Sequence, residues 1–533
     1  MRKRFLAMLL GGAFLLTSLA GCGQGTGEKT ASIDDPAEAR DELVFVNYRD
    51  IRDLNPHLYA GEMYAQAILY DTLVSNTEDG YVGCLAEDWT ISEDGRIYTF
   101  DIRDGVTFSD GTPCDANAIL ANFNAILENR ERHTWLEMMN LLVSVSAPDS
   151  DTFVIEMSEP YYPMLTELAC IRPFAMISPN CMIDGSTMDG VNGYIGTGPY
   201  VLTDFVTDEY AIFERNENYW GEAPVIEKIT VKVIPDNQTR IMALENGEID
   251  LIFGKNMLDA DAISQYVDRD GYTVSLSEPT STRHIVLNTT RDILSELPVR
   301  QALQHATNRQ AISEGIFYGL EPAADTLYSP TVPYCDVDLE PYAYDAEKAA
   351  RLLDEAGWIV GGSGIRAKDG KKLELDLLYN SDSVTEKTIS EYLQSEYLKL
   401  GISLNIHGEE EQSYRDNMKA GNFDMVFNIC WGMPYDPQSS LAAMRAPVYG
   451  DYEAQQGLAD KAEIDQAITD ILTSTDEAER RELYTFVLTR LHEDAVYLPL
   501  TYETNKALYT SELKGVRFGT DQYDVDFASM YFQ

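Results

Sequence analysis

The 533-residue sequence predicts an α/β protein. Three observations carry the expectation. Strand-like and helix-like segments alternate from residue 42 onward, turn chemistry separates short alternating runs, and no internal repeat or low-complexity block interrupts the pattern. Val44-Phe45-Val46 is a short apolar strand. In residues 92–111, SEDGRIYTFDIRDGVTFSDG, the pairs Asp94-Gly95, Asp104-Gly105 and Asp110-Gly111 punctuate short runs, which predicts hairpins. Asp115 is placed to cap a helix whose Ile119, Leu120, Phe123, Ile126 and Leu127 recur at helical spacing. Ile229 to Ile234 alternates apolar and polar residues and stops at Pro235, so it reads as a strand. Val299, Ala302, Leu303 and Ala306 share one helix face. Asp345 is placed to cap a second helix, with Ala346, Ala349, Ala350 and Leu353 inward and Gly357 at its end. Ser474 with Glu477 forms a capping box for a third helix, carrying Leu483, Phe486, Val487 and Leu491, and Val496 to Pro499 returns as a strand.

The first 22 residues read as an address. Arg2-Lys3-Arg4 is a positive n-region, Phe5 to Leu19 is apolar apart from small residues, and Leu19-Ala20-Gly21-Cys22 is a small-residue cleavage site. That tetrapeptide resembles a bacterial lipobox, which implies a diacylglyceryl group on Cys22. A polar run at 23–41 reads as a flexible tether. No later stretch reaches the ~18 consecutive apolar residues that a membrane span needs. The sequence therefore predicts a soluble exported body held to a membrane surface at one end.

The formal charge is −48, from 88 acidic against 40 basic side chains, and loss of Arg2, Lys3 and Arg4 makes the exported body more acidic still. Such a surface repels phosphate backbones, so nucleic acid is excluded as a partner. After Cys22, six cysteines are scattered (84, 114, 170, 181, 335 and 430) with no CxxC pair, so buried thiols are expected. Only Cys170 and Cys181 are close enough in sequence to suggest a bridge.

Enzyme signals are thin, and the sequence predicts no enzyme. His492-Glu493 begins an HExxH motif that Val496 ends, and Ser511-Glu512-Leu513-Lys514 matches SxxK without its supporting motifs. The six histidines never sit three or four apart, so no His-rich metal site is visible. One constellation has binding chemistry. NRERHTWLE (129–137) puts Arg132 and Trp135 on one face if helical, CIRPF (170–174) places Arg172 before a proline, and WGMPYDP (431–437) forms a stiff aromatic loop after the strand Phe427–Cys430. Guanidinium groups clamp carboxylates, and aromatic walls hold flat or cationic ligands.

From about residue 42 to 505 the chain resembles the solute-binding lipoproteins of dipeptide/nickel-type ABC importers. YIGTGPYVL (194–202), RNENYWGEAPVIEKI (215–229), IMALENGEIDLI (241–252) and YDAEKAARLLDEAGW (344–358) are general family features. LNPHLYAGEMYAQ (54–66), NRERHTWLEMMN (129–140), YYPMLTELACIRPF (161–174), ADTLYSPTVPY (324–334), WGMPYDPQSSLAAMRAP (431–447), AQQGLADK (454–461) and LTRLHEDAVYLP (488–499) resemble the nickel-binding branch.

The resemblance implies a two-lobed, type II periplasmic-binding-protein-like fold. Its first lobe would comprise 42–280 plus 504–533, with an inserted subdomain at about 80–190, and its second lobe 281–503. The implied function is capture of nickel as a complex with a small carboxylate-bearing chelator. Delivery would be to ABC permease and ATPase subunits by a lipid-anchored monomer on the outer face of the cytoplasmic membrane. Carried over by position, Arg132 and Arg172 would meet chelator carboxylates, Trp135 and Trp431 would wall the cleft, and Tyr59, Met63 and Tyr435 would line it. Well-studied members of the branch carry a metal-binding histidine twelve residues after the second proline of the WGxPYDP segment. Here Tyr449 stands there. A phenol is a poor nickel ligand, so no protein–metal bond is expected. The alternatives are an opine-type metallophore complex with nickel or cobalt, or a dipeptide or oligopeptide ligand.

Overall fold

A computed structural model describes residues 40–77, 80–432, 434–447 and 449–533. The expected signal peptide, Cys22 and most of the tether lie outside the described residues. Arg40 and Asp41, assigned to the tether by sequence, belong to the folded body. Arg40 pairs with Asp250 at 2.6 Å, and the Asp41 carbonyl accepts from the Glu227 and Lys228 amides. Among the described residues no helix is long and apolar enough to cross a membrane.

The scaffold is a ten-stranded sheet. Its order is Tyr200–Val206, Tyr210–Arg215, Lys228–Val233, Glu42–Asn47, Leu251–Phe253, Tyr497–Thr510, Tyr272–Leu287, Met425–Ile429, Glu374–Asn380 and Ser403–Glu409. Each half contains a parallel unit: Glu42–Asn47 runs with Lys228–Val233 and Leu251–Phe253, and Glu374–Asn380 runs with Ser403–Glu409 and Met425–Ile429. Two long antiparallel strands, Tyr272–Leu287 and Tyr497–Thr510, join the halves, and their register shifts between Leu276 and Ser281 and again at Arg283/His284. Such irregularities bend and twist a ribbon. Each half of the sheet carries its own apolar core. Leu43, Phe45, Phe213, Ile229 and Val231 pack on the first, and Ile285, Leu375, Leu377, Phe427 and Leu498 on the second. Each fully buried side chain of this size contributes roughly 1.5–3 kcal/mol of transfer free energy.

A separate four-stranded sheet, Ala86–Ile91, Ile97–Ile102, Thr152–Met157 and Leu142–Ser146 in spatial order, packs against the helix Ala116–Glu128. The 92–96 turn that joins its first two strands is one of the hairpins the Asp-Gly pairs predict. Asp115 caps the helix through the Ala118 amide at 3.0 Å, and Asp345 caps Ala346–Glu355 through the Lys348 amide at 2.8 Å. Gly357 follows with φ +88, the left-handed position that favours glycine.

Two local expectations shift. The helix Glu477–Glu493 is capped by Asp476, whose carboxylate accepts from the Ala478 and Glu479 amides, and not by Ser474. Ser474 gives only its backbone N–H to the C-cap of Lys461–Thr473; its hydroxyl accepts from the Asp476 amide at 3.1 Å and donates to Glu479 at 2.6 Å. The strand read as Val496 to Pro499 runs on as Tyr497–Thr510. All six cysteines among the described residues are buried and free, so Cys170 and Cys181 are not bridged.

Candidate functional site

The site gathers around the loop after Met425–Ile429. Trp431 and Tyr435 project from this loop, and Trp135 meets both, with ring centroids 6.1 and 5.6 Å away. Tyr449 stands edge-on to Trp431 at 5.4 Å, and Tyr59 lies 6.0 Å from Trp135. Edge-to-face packing of this kind holds the rings at fixed angles.

The approach of Trp135 is not helical. Residues Arg130–His133 form a 3-10 turn that follows the helix Ala116–Glu128, and Trp135 lies beyond it. The expectation that Arg132 and Trp135 share a helix face is therefore corrected, because the turn ends after His133. Arg132 is exposed while its charge still bears on Tyr59 and His133.

A polar relay orients this wall. The Trp135 indole N–H donates to the Tyr59 hydroxyl at 2.7 Å, and that hydroxyl lies 2.5 Å from His133 Nδ1. An indole nitrogen only donates, so the Tyr59 oxygen accepts from Trp135, and the direction of the Tyr59–His133 hydrogen bond follows the imidazole tautomer. Burial, then the Arg132 charge, pulls the His133 pKa to about 4, so the imidazole is neutral at physiological pH. Burial likewise pushes the Tyr59 hydroxyl up to about 12, against the opposing pull of Trp135, Arg132 and Arg172.

Arg172 is half-buried and fixed at two points. Its Nε donates to Gln66 Oε1 at 2.7 Å and an Nη to the Gly61 carbonyl. Neither contact is a carboxylate. Among the described residues neither Arg132 nor Arg172 pairs with an acidic side chain, although the chain carries 88 of them. Burial lowers the pKa of Arg172, and the Glu62 carboxylate partly opposes it from a distance.

Two cavities adjoin the aromatic wall. One, about 180 Å³, is lined by Met63, Asp71, Pro434, Asp521, Tyr523 and Asp524. The other, about 690 Å³, runs past Trp431 between Tyr48, Arg49, Glu62, Lys255 and Glu503. Burial raises Asp521 to about 7 and Asp524 to about 6, so this wall is only partly charged near neutral pH. The two cavities share Tyr523.

Of the residues singled out from sequence, Tyr59, Trp135, Trp431 and Tyr435 form one contiguous array, with Arg132 and Arg172 flanking it and Met63 in the adjoining cavity. Tyr449 packs on Trp431. His133, treated as one of six lone histidines, belongs to the wall, and its place inside NRERHTWLE was the available signal. Gln66 had the same kind of signal, closing LNPHLYAGEMYAQ, whereas Lys255, Asp521, Gln522 and Tyr523 had none in composition or spacing. No group of three or more His, Cys, Asp or Glu side chains among the described residues is arranged to hold a metal ion.

An aromatic array flanked by two guanidinium groups that form no salt bridge among the described residues, beside a bent ten-stranded sheet, is the architecture of a solute-binding protein. The chain belongs to the bacterial extracellular solute-binding proteins of family 5, whose model (family 5 Middle) matches residues 80–451. It is 41% identical over 495 residues to the nickel-binding periplasmic protein of Escherichia coli strain K12, covering 92% of this chain and 94% of that one. The dipeptide-binding protein of the same strain is 25% identical over 503 residues, covering 89% and 91%. The crystal structure of NikA from Brucella suis in complex with Fe(III)-EDTA superposes with a TM-score of 0.90 at 43% identity, over 92% of this chain and 100% of that chain. The fold is thus the α/β, type II periplasmic-binding-protein fold that the family resemblance implied.

Proposed function

We propose that the protein is the solute-binding component of an ABC importer and captures nickel as a complex with a small carboxylate-bearing chelator. The observation that carries this reading is the pair of guanidinium groups, Arg132 and Arg172, without carboxylate partners beside an aromatic wall. A half-buried guanidinium with no carboxylate in contact is costly until an anionic ligand supplies one. Arg172 presents the rest of its fork to chelator carboxylates, and Arg132 adds a second, more exposed contact. The wall of Trp135, Trp431, Tyr435 and Tyr59 excludes water, and Met63 lines the adjoining space. The chelator itself saturates the metal, because Tyr449 offers only a phenol where a histidine would ligate. The relatives' printed ligands, nickel and an Fe(III) chelate, support this chemistry.

In this reading the lobes are 42–280 with 504–533 and 281–503, the inserted subdomain is about 80–190, and ligand touching both lobes favours closure. The closed monomer, tethered through lipid on Cys22 at the outer face of the cytoplasmic membrane, presents its cargo to the permease and its ATPase. Calorimetry with nickel and histidine tests the proposal, with saturable one-site binding expected and absence of binding refuting it. A peptide ligand is the second reading, favoured by one observation: Asp521 and Asp524 line the cavity beside Met63 and would take a peptide amine. A peptide library assayed by thermal shift separates the two.

A further inference from the structure

Behind Trp431 lies a chain of hydrogen bonds that ligand contacts do not explain. Gln522, on the C-terminal segment, is buried. Its Nε2 donates to the Trp431 carbonyl at 2.6 Å, and its Oε1 accepts from Lys255 Nζ at 2.6 Å. Its backbone carbonyl is held by Asn505 Nδ2 at 2.7 Å. Lys255 also donates to Ser281 Oγ at 2.7 Å and reaches Glu503 at 3.4 Å, and Glu503 pairs with Arg283. Ser281, Arg283 and Glu503 sit where the two long strands shift register.

The backbone on the Trp431 side is shaped for this contact. Gly432 has φ +81, and a Cβ there would stand 2.3 Å from Gln522 Nε2. Only glycine at this position lets the amide approach the carbonyl of Trp431.

We propose that Gln522 is a positioning residue that latches the Trp431 loop onto the C-terminal segment and holds the aromatic wall in its ligand-ready place. The proposal rests on the cleft-binding reading above. With the lobes divided as proposed, Gln522 and Lys255 belong to one lobe and Trp431 to the other. The amide then bridges the closed cleft, tied through Lys255 to the ion pairs at the chain crossings. Such a contact forms on closure and must break on opening, so it governs how slowly ligand leaves.

The test is a double-mutant cycle on the full exported chain, read by stopped-flow tryptophan fluorescence with nickel–histidine as probe. Gln522→Glu keeps an acceptor for Lys255 but faces the Trp431 carbonyl with an oxygen. Gly432→Ala fills the approach from the other side. Each single variant is expected to speed dissociation about tenfold with association unchanged, and the double variant to lose no more than either. Additive losses, or unchanged dissociation in Gln522→Glu, overturn the latch. If the wild-type protein binds no nickel–histidine, the functional reading fails, and ligand-free X-ray scattering still judges the latch. A larger radius of gyration in Gln522→Glu than in wild type supports it, and identical curves overturn it.

Discussion

Replacing Arg172 with Met should separate ligand binding from folding. In the ligand-free protein the guanidinium is half-buried and held by Gln66 Oε1 and the Gly61 carbonyl, with no carboxylate opposite. Methionine keeps most of the apolar stem. It leaves two acceptors without a donor, at about 1–3 kcal/mol each, but removes a buried charge whose desolvation costs several kcal/mol. These terms oppose one another, so the unfolding free energy should change by less than about 2 kcal/mol. Binding has no such compensation, because a chelator carboxylate then enters the site without its partner. Truncating one side of a desolvated charge pair costs roughly 2–4 kcal/mol, on the order of 30- to 1,000-fold in Kd. Arg132 is exposed, so Arg132→Met should cost only about 0–1 kcal/mol. Calorimetry with nickel–histidine and urea denaturation of ligand-free protein give both quantities. Binding by Arg172→Met within threefold of wild type, or a larger loss at Arg132 than at Arg172, would refute the reasoning.

Three further outcomes are expected. Tyr449→His puts an imidazole beside Trp431, so it should add a protein ligand to chelator-bound nickel, visible as shifted d–d absorption bands of the nickel–histidine complex; an unchanged spectrum counts against the geometry. Burial raises Glu167 to about 8 despite hydrogen bonds from Tyr161 and the Met138 amide, so the folded state keeps a proton that the unfolded chain loses above its ordinary value. Stability from this group is full at low pH and lost as pH rises through about 8, so Glu167→Gln should gain on wild type by up to roughly 1.4 kcal/mol per pH unit across that window. Parallel denaturation curves for the two proteins between pH 5.5 and 8.5 would contradict the assignment. Cys22→Ser should move the exported protein from the detergent to the aqueous phase on Triton X-114 partitioning, and a wild-type protein already in the aqueous phase would disprove the anchor.

Much of the secondary structure was legible because its causes are local. Asp115 and Asp345 cap helices through amides three residues on, and the 92–96 turn follows from Ser, Asp and Gly within one short stretch. Where two local signals compete, reading falters. Ser474 and Asp476 both suit a cap, and Asp476 takes the Ala478 and Glu479 amides while the serine hydroxyl bonds the Asp476 amide and Glu479. Arg132 and Trp135 fit helical spacing, yet the helix stops before them, since Asn129 ends it and a 3-10 turn follows.

The sequence by itself determined the class of protein. Its alternating apolar periods predict strands and helices, and its long family motifs single out the aromatic and arginine residues proposed to bind the ligand. Only the tertiary structure decided which of these meet. Trp135, Trp431 and Tyr449 are distant in the chain and touch because the long strands Tyr272–Leu287 and Tyr497–Thr510 bring the two halves of the sheet together. The Tyr59–His133–Trp135 relay and the Gln522–Lys255 contact were decided there as well. Polar side chains on loops follow no period in sequence. Their partners are set by where the folded backbone leaves a donor or acceptor to be satisfied.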